Sequence, residues 1–353
     1  MKSRVVSLVA SVFVSLCLLV VPLVGSAQTA SEKRIAELYE LAKEEGEIIW
    51  YTTSRKPELT SLSKVWKERF PEVKLTIQRK QTPQVIETVE AEIAAGRLRA
   101  DVASAAAPDL GIIWKSKGYI TPYKPATFDD IDAKYKDPDG YWISRSVYLM
   151  LGAYNTDMIK DPTELPSTLA DLLTPKWKDK ILSAHPGSAG SSRTFFGTLV
   201  HGPLGGWEYL EKLGPQNVFF VRGNSEAARM VVAGERPIAI AISSLNTVDA
   251  MEKGQPIKFF KYEDGSVIGF SPMVLMKDAP HPNAARLFIE YSFSLEGQNR
   301  IAEDAKQWPV LKSAKPQEGI PALDTFNPIP PDIDWLNSEE RSFLERFDAI
   351  MRR

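Results

Sequence analysis

The chain has 353 residues, with 43 lysines and arginines against 45 aspartates and glutamates, three histidines and one cysteine. This near-neutral balance, with no basic tail or stripe, argues against nucleic acid as a partner and gives no general attraction to a membrane surface. A single cysteine rules out a disulfide framework within the chain, and the length suffices for a large core split between two domains.

Residues 1–27 read as a secretory signal peptide. Lys2 and Arg4 make a charged start, Val5 to Val24 is an uncharged apolar run broken only by Ser7, Ser11, Ser15 and Pro22, and Gly25-Ser26-Ala27 is a small-residue cleavage site. A membrane anchor is the rival reading of a run this long. Cys17 follows Leu16 rather than a small residue, which argues against a lipoprotein. Cleavage removes the only cysteine and two basic residues, leaving 41 basic against 45 acidic side chains. A chain with no cysteine is compatible with a bacterial periplasm.

Beyond the leader, Ser31 is placed to cap a helix ending at Gly46, with Ile35, Leu38, Leu41 and Ala42 on its apolar face. A strand is expected at Glu47–Tyr51, a helix over Pro57–Phe70, a strand at Val73–Ile77, a helix over Thr82–Leu98 and a strand from Ala100. This alternation predicts a parallel sheet in an α/β fold. Prolines and Gly140 punctuate 120–140, and a strand pair is expected from Tyr141 to Tyr154. The α/β rhythm resumes at Leu165, a return strand covers Gly269–Met276, and a last helix covers about 338–351 with Phe343, Leu344, Phe347 and Ile350 inward.

The stretch DAPHPNAARLFIEYSFSLEGQ, residues 278–298, stands out. Pro282 suits a first helical position. Ala284, Leu287, Phe288, Tyr291 and Leu295 then form one apolar stripe, and Ser294 is placed to cap a second helix. The string resembles the signature of extracellular solute-binding proteins of ABC importers, in the family-1 set that includes ferric-ion-binding proteins. Trp50-Tyr51-Thr52, Ala100-Asp101-Val102, Tyr154-Asn155-Thr156, Leu165-Pro166 through Ile181, Val232-Ala233-Gly234-Glu235 and Trp308-Pro309-Val310 extend the resemblance in order along the chain. It implies a type II periplasmic-binding fold of two doubly wound α/β lobes joined by crossing hinge strands. Lobe 1 would comprise 28–140 plus 265–353, and lobe 2 would comprise 141–264. The implied role is a monomeric periplasmic receptor that closes on a small solute, expected to be anionic, and hands it to an ABC permease. A ferric-ion-binding receptor of an iron ABC importer is the alternative, a sensor subunit on the same fold is a further possibility, and no cofactor is implied.

In such a fold ligands sit beyond the carboxyl ends of strands. Four loops qualify. Thr52-Thr53-Ser54-Arg55 offers hydroxyls beside a helix start. The loop around Ala105 lets a ligand approach the backbone, because its residues are small. Gly187 to Arg193, with Ser188, Ser191, Ser192 and Arg193, opens a helix as a cradle for a carboxylate or phosphate. Ser243-Ser244-Leu245-Asn246 ends an apolar strand and suits hydrogen bonds to an organic or oxyanionic solute. Ferric-binding members carry adjacent tyrosines about here; this chain has no Tyr-Tyr, and ferric iron needs anionic oxygen ligands. Arg145 and Arg222 are candidate anion clamps, and Tyr51, Trp114 and Tyr148 are candidate aromatic walls. No metalloprotease, nucleophile-elbow or dinucleotide motif is present, and an enzyme is not expected.

Overall fold

The computed structural model describes residues 23–315 and 321–352, so most of the expected signal peptide lies outside it. The first half runs α1 (Leu23–Glu45), β1 (Glu47–Thr52), α2 (Lys56–Arg69), β2 (Lys74–Arg79), α3 (Thr82–Ala94), β3 (Val102–Ser104), α4 (Leu110–Ser116) and β4 (Ile120–Thr121). A long strand, β5 (Ile143–Asn155), crosses to β6 (Ile181–Ala184), α5 (Gly190–His201), α6 (Gly206–Leu213), β7 (Phe219–Val221), α7 (Asn224–Val232), β8 (Ile238–Ser243), α8 (Ser244–Glu252) and β9 (Ile257–Phe260). A second long strand, β10 (Ser266–Met276), returns to α9 (Pro282–Ser292) and α10 (Leu295–Ala305). The chain closes with β11 (Trp308–Pro309), β12 (Pro328–Ile329), α11 (Ile333–Ser338) and α12 (Glu340–Met351).

The strands form one continuous sheet with the main order β2-β1-β3-β10-β5-β8-β6-β7. Its two ends are parallel, as the alternation predicted: β1 pairs with β2 and β3, and β6 with β7 and β8. The antiparallel β5 and β10 lie in the middle and belong to both lobes. The expected strand pair over 141–154 is instead one strand whose 13 residues are all buried. The segment holds no turn signal; Gly152, the one candidate, is there because a Cβ would meet the Phe260 ring at 2.1 Å.

Other differences are local. Ser31 does not start α1, which already begins at Leu23; Ser31 sits within the helix and is buried. α3 ends earlier than expected, just ahead of Gly96 in the left-handed region at φ +61°. The last helix, α12, lies where it is expected, and a short helix not expected from the sequence, α11, precedes it. Their Leu336, Phe343, Phe347 and Ile350 are buried, and the last three join Phe195, Phe196 and Leu210 in the apolar core of the second lobe. The C-terminal helices therefore depart from the expected division, which put them in lobe 1. An apolar stripe at helical spacing says that a helix packs, not against which lobe.

The 278–298 stretch is scaffold. Ala284, Leu287, Phe288 and Tyr291 are buried against β1 and α1, with Phe288 in an aromatic cluster with Trp50 and Trp66. The N-terminus of α9 is closed by the Glu45 carboxylate, which accepts from Asn283 N at 3.0 Å and Ala284 N at 2.8 Å. His281 donates its backbone N–H to Asp101 at 2.7 Å, and its ring lies 2.9 Å from the same carboxylate. Ser294 caps α10 as expected, accepting from Gly297 N at 3.1 Å. Gly297 has no room for a side chain, because a Cβ would sit 2.1 Å from the Tyr291 carbonyl oxygen. Gln298, fully buried, donates to the Arg145 and Ser292 carbonyls and accepts from Val310 N.

Candidate functional site

Five helices start at one cavity. The residues just ahead of α2, α3, α5, α7 and α8 are Arg55, Gln81, Ala189, Gly223 and Ser243, and all five line a space of ≈ 260 Å³ between the lobes. In each case a strand or short loop delivers the chain to a helix whose first N–H groups have no intrahelical acceptor. At α2, α5, α7 and α8 no side chain caps them. Five positive helix ends around one volume make it favourable to negative charge.

The second-lobe wall is tied together at these helix starts. Asn224 donates to Ser191 Oγ at 2.7 Å and accepts from Ser243 N at 3.2 Å; Asn246 donates to Ser225 Oγ at 2.9 Å. On the first-lobe wall, Thr53 Oγ1 accepts from Ala106 N at 3.2 Å, and Arg79 donates to the Ser54 carbonyl at 2.9 Å. The crossing strands supply the floor through Arg145, Ser146, Tyr148 and Ser271. Tyr148 fits there because Gly269, its partner across the ladder, leaves room for the ring. Its hydroxyl is buried beside Ser271, and burial pushes its pKa up, so the phenol stays protonated.

Four arginines line the cavity, and their partners differ. Arg145 is ion-paired with Glu58, and burial lowers its pKa to about 10, which still leaves it charged at neutral pH. Arg55 is paired with Asp249 and donates to the Leu245 carbonyl at 3.1 Å. Arg79 and Arg222 form no ion pair with any described residue. The lining carboxylates are Glu58, already committed to Arg145, and Glu226, which accepts from Arg222 N and lies 3.8 Å from Arg229. Two guanidiniums are therefore left uncompensated beside the helix ends.

Of the residues singled out in the sequence, Thr53, Ser54, Arg55, Arg145, Ser191, Arg222, Ser243, Asn246 and Tyr148 line the cavity. The others lie elsewhere. Thr52 hydrogen-bonds Ser104 Oγ at 2.9 Å across the β1–β3 ladder. Ala105 is buried in the first-lobe core, and its neighbour Ala106 reaches the cavity instead. Ser188 turns outward and donates to the His185 carbonyl at 3.3 Å. Ser192 is fully buried, and Ser244 Oγ accepts from Leu149 N at 3.4 Å. Arg193 is buried away from the cavity in ion pairs with Asp109 and Glu340. Tyr51 and Trp114 are core residues bonded to Glu92 and Glu90. The sequence reading did not single out Arg79, Gln81, Thr82, Gly223, Asn224, Ser225 and Gln307. The available signal for most of them was the strand-to-helix step at Gln81-Thr82-Pro83 and Gly223-Asn224-Ser225.

No histidine lines the cavity. Among the described residues, no group of three or more His, Cys, Asp or Glu side chains is placed to hold a metal ion.

Residues 100–334 match the model of a family described as bacterial extracellular solute-binding protein. The iron uptake protein A2 of Synechocystis sp. is 28% identical over 221 residues, covering 58% of this chain and 63% of its own length. Two solved structures share the fold. Iron-bound HitA from Pseudomonas aeruginosa superposes with a TM-score of 0.72 at 21% identity, over 85% of this chain and 98% of that one. AfuA from Actinobacillus pleuropneumoniae, with fructose-6-phosphate bound, gives 0.76 at 20% identity, over 87% and 99%.

Proposed function

We propose that this chain, which belongs to the bacterial extracellular solute-binding protein family, captures a small organic anion carrying a phosphate or phosphonate group. The observation that carries this reading is the meeting of five helix starts and two unpaired arginines, Arg79 and Arg222, at one cavity. A dianion with three oxygens matches that surplus of positive charge and the hydroxyls of Thr53, Ser54, Ser191 and Ser243 better than a neutral sugar does. Fructose-6-phosphate bound to AfuA, a structural neighbour, is of this chemical class.

The mechanism is hinge closure on β5 and β10. With the lobes apart, each wall presents helix ends to water. A solute that touches both walls favours the closed form by its differential affinity for the two states. The closed receptor, working as a periplasmic monomer released from its signal peptide, then delivers the solute to an ABC permease without chemical change.

The iron-related names among the relatives favour a second reading, a ferric-ion receptor. It would have to work without a tyrosine pair, with the single protonated phenol of Tyr148 in the cavity. A thermal-shift screen of the mature chain separates the two. Phosphate esters and phosphonates are expected to raise the melting temperature, because ligand at 100-fold over its Kd adds about 2.7 kcal/mol of stability. Stabilisation by ferric salts alone, with a visible phenolate-to-iron absorption band, would establish the second reading. A shift with neutral sugars alone would reject the anion argument.

A further inference from the structure

Arg193 and Asp109 join the two lobes outside the cavity. Arg193 stands on α5 of the second lobe, and Asp109 precedes α4 in the first. The guanidinium donates to Asp109 Oδ1 at 2.6 Å, and its other arm lies 2.6 Å from Glu340 on α12, also packed on the second lobe. Arg193 is 4% exposed and Asp109 0%. Neither side chain lines the cavity. The surrounding lobe contact is tight: a Cβ on Gly190 would sit 2.0 Å from the Ala106 carbonyl oxygen.

We infer that Arg193 and Asp109 form an inter-lobe latch that sets the open–closed equilibrium without touching the solute. The inference rests on the hinge-closure reading above. Lobe separation pulls the two charges apart and hydrates both; closure strips water from both and is tolerated because each supplies the other's partner. A buried pair of this kind contributes little net stability, whereas removal of one partner strands the other charge and penalises the closed form alone. Glu340 does not cross between the lobes; it orients the guanidinium from within the second lobe. Arg193 is therefore a positioning residue for closure. A competent closed population already present without solute removes part of the conformational cost from the apparent affinity.

Small-angle X-ray scattering on the solute-free mature chain tests this, together with D109N and E340Q. Asp109→Asn is nearly isosteric and is expected to give a larger radius of gyration and a longer maximum dimension than wild type. Glu340→Gln, which leaves the inter-lobe contact in place, is expected to scatter like wild type. Circular dichroism checks the fold of each variant. If D109N does not fold, R193Q gives the same readout, since it removes the charge that Asp109 meets across the lobes. Identical scattering from wild type and every folded latch variant would overturn the latch, and so would equal expansion of E340Q and D109N. The measurement uses no solute, so an error in the proposed ligand class leaves its outcome unaffected.

Discussion

At the scale of single residues, what an arginine can do is decided by the carboxylate next to it. Arg55 and Arg145 line the cavity but are neutralised by Asp249 and Glu58, while Arg79 and Arg222 are not. Arg79→Ala and Arg222→Ala should each weaken a phosphate-bearing solute by about 1 kcal/mol, less than a buried charged hydrogen bond because both side chains are exposed. Calorimetric titration reads this directly, and melting temperatures should barely move. Arg145→Ala should behave oppositely, losing about 3–5 kcal/mol of fold stability in urea because Glu58 would be stranded in the interior. The sequence could not make this distinction, since Glu58 lies far from Arg145 along the chain. Arg193 failed as a cavity residue for a geometric reason that the sequence does contain. It is two positions past Ser191, about 200° further round a helix of 3.6 residues per turn, so when Ser191 faces the cavity Arg193 faces away.

At the scale of elements, acidic side chains at helix ends and loops hold the first lobe together. Glu45 closes the start of α9 with hydrogen bonds to Asn283 and Ala284. Glu45→Ala should cost about 1–2 kcal/mol, the scale of a lost N-terminal cap, visible as a lower urea midpoint with solute affinity unchanged. Glu290, on α9, accepts from Tyr123 Oη at 2.8 Å and Ala126 N at 3.0 Å, and burial raises its pKa despite those bonds and Arg34. A carboxyl whose pKa is higher in the folded chain gives its full stabilisation below its unfolded value, near 4.3, and loses it as pH climbs through the folded value. The stability of wild type relative to Glu290→Gln should therefore fall with rising pH across that window. Urea midpoints that instead diverge in favour of wild type would contradict this.

The elements themselves were largely legible from periodicity. α2, α9 and α10 appear where apolar spacing, Pro57, Pro282 and Ser294 place them. Of the five helix starts at the cavity, the sequence reading picked out those of α2, α5 and α8, whose loops hold clustered hydroxyls. It passed over α3 and α7, which contribute Gln81, Thr82, Asn224 and Ser225 beside their backbone N–H groups. Backbone donors carry no residue signature, so only the strand-to-helix order reveals them.

At the scale of the whole molecule, one sheet shared by two lobes places the cavity where its two parallel ends approach each other across β5 and β10. Of the crossing strands, β10 was visible in the sequence while β5 was read as a strand pair, and the docking of α11 and α12 on the second lobe was not visible. That choice is made by Phe343, Phe347 and Ile350 meeting the apolar faces of α5 and α6, with the His185–Asp348 and Arg193–Glu340 contacts beside them. Solute capture is a property of this scale, because the helix starts stand on both lobes and act together only when the lobes meet.

The most direct test is calorimetric titration of the mature chain with a small aliphatic phosphate monoester, beside the Arg79→Ala/Arg222→Ala double variant. The account predicts saturable one-site binding by wild type and roughly a tenfold or greater loss in the double variant, the combined effect of two contacts of about 1 kcal/mol each. Absence of binding to any phosphate or phosphonate, with saturable binding of ferric ion that the double variant retains, would contradict it.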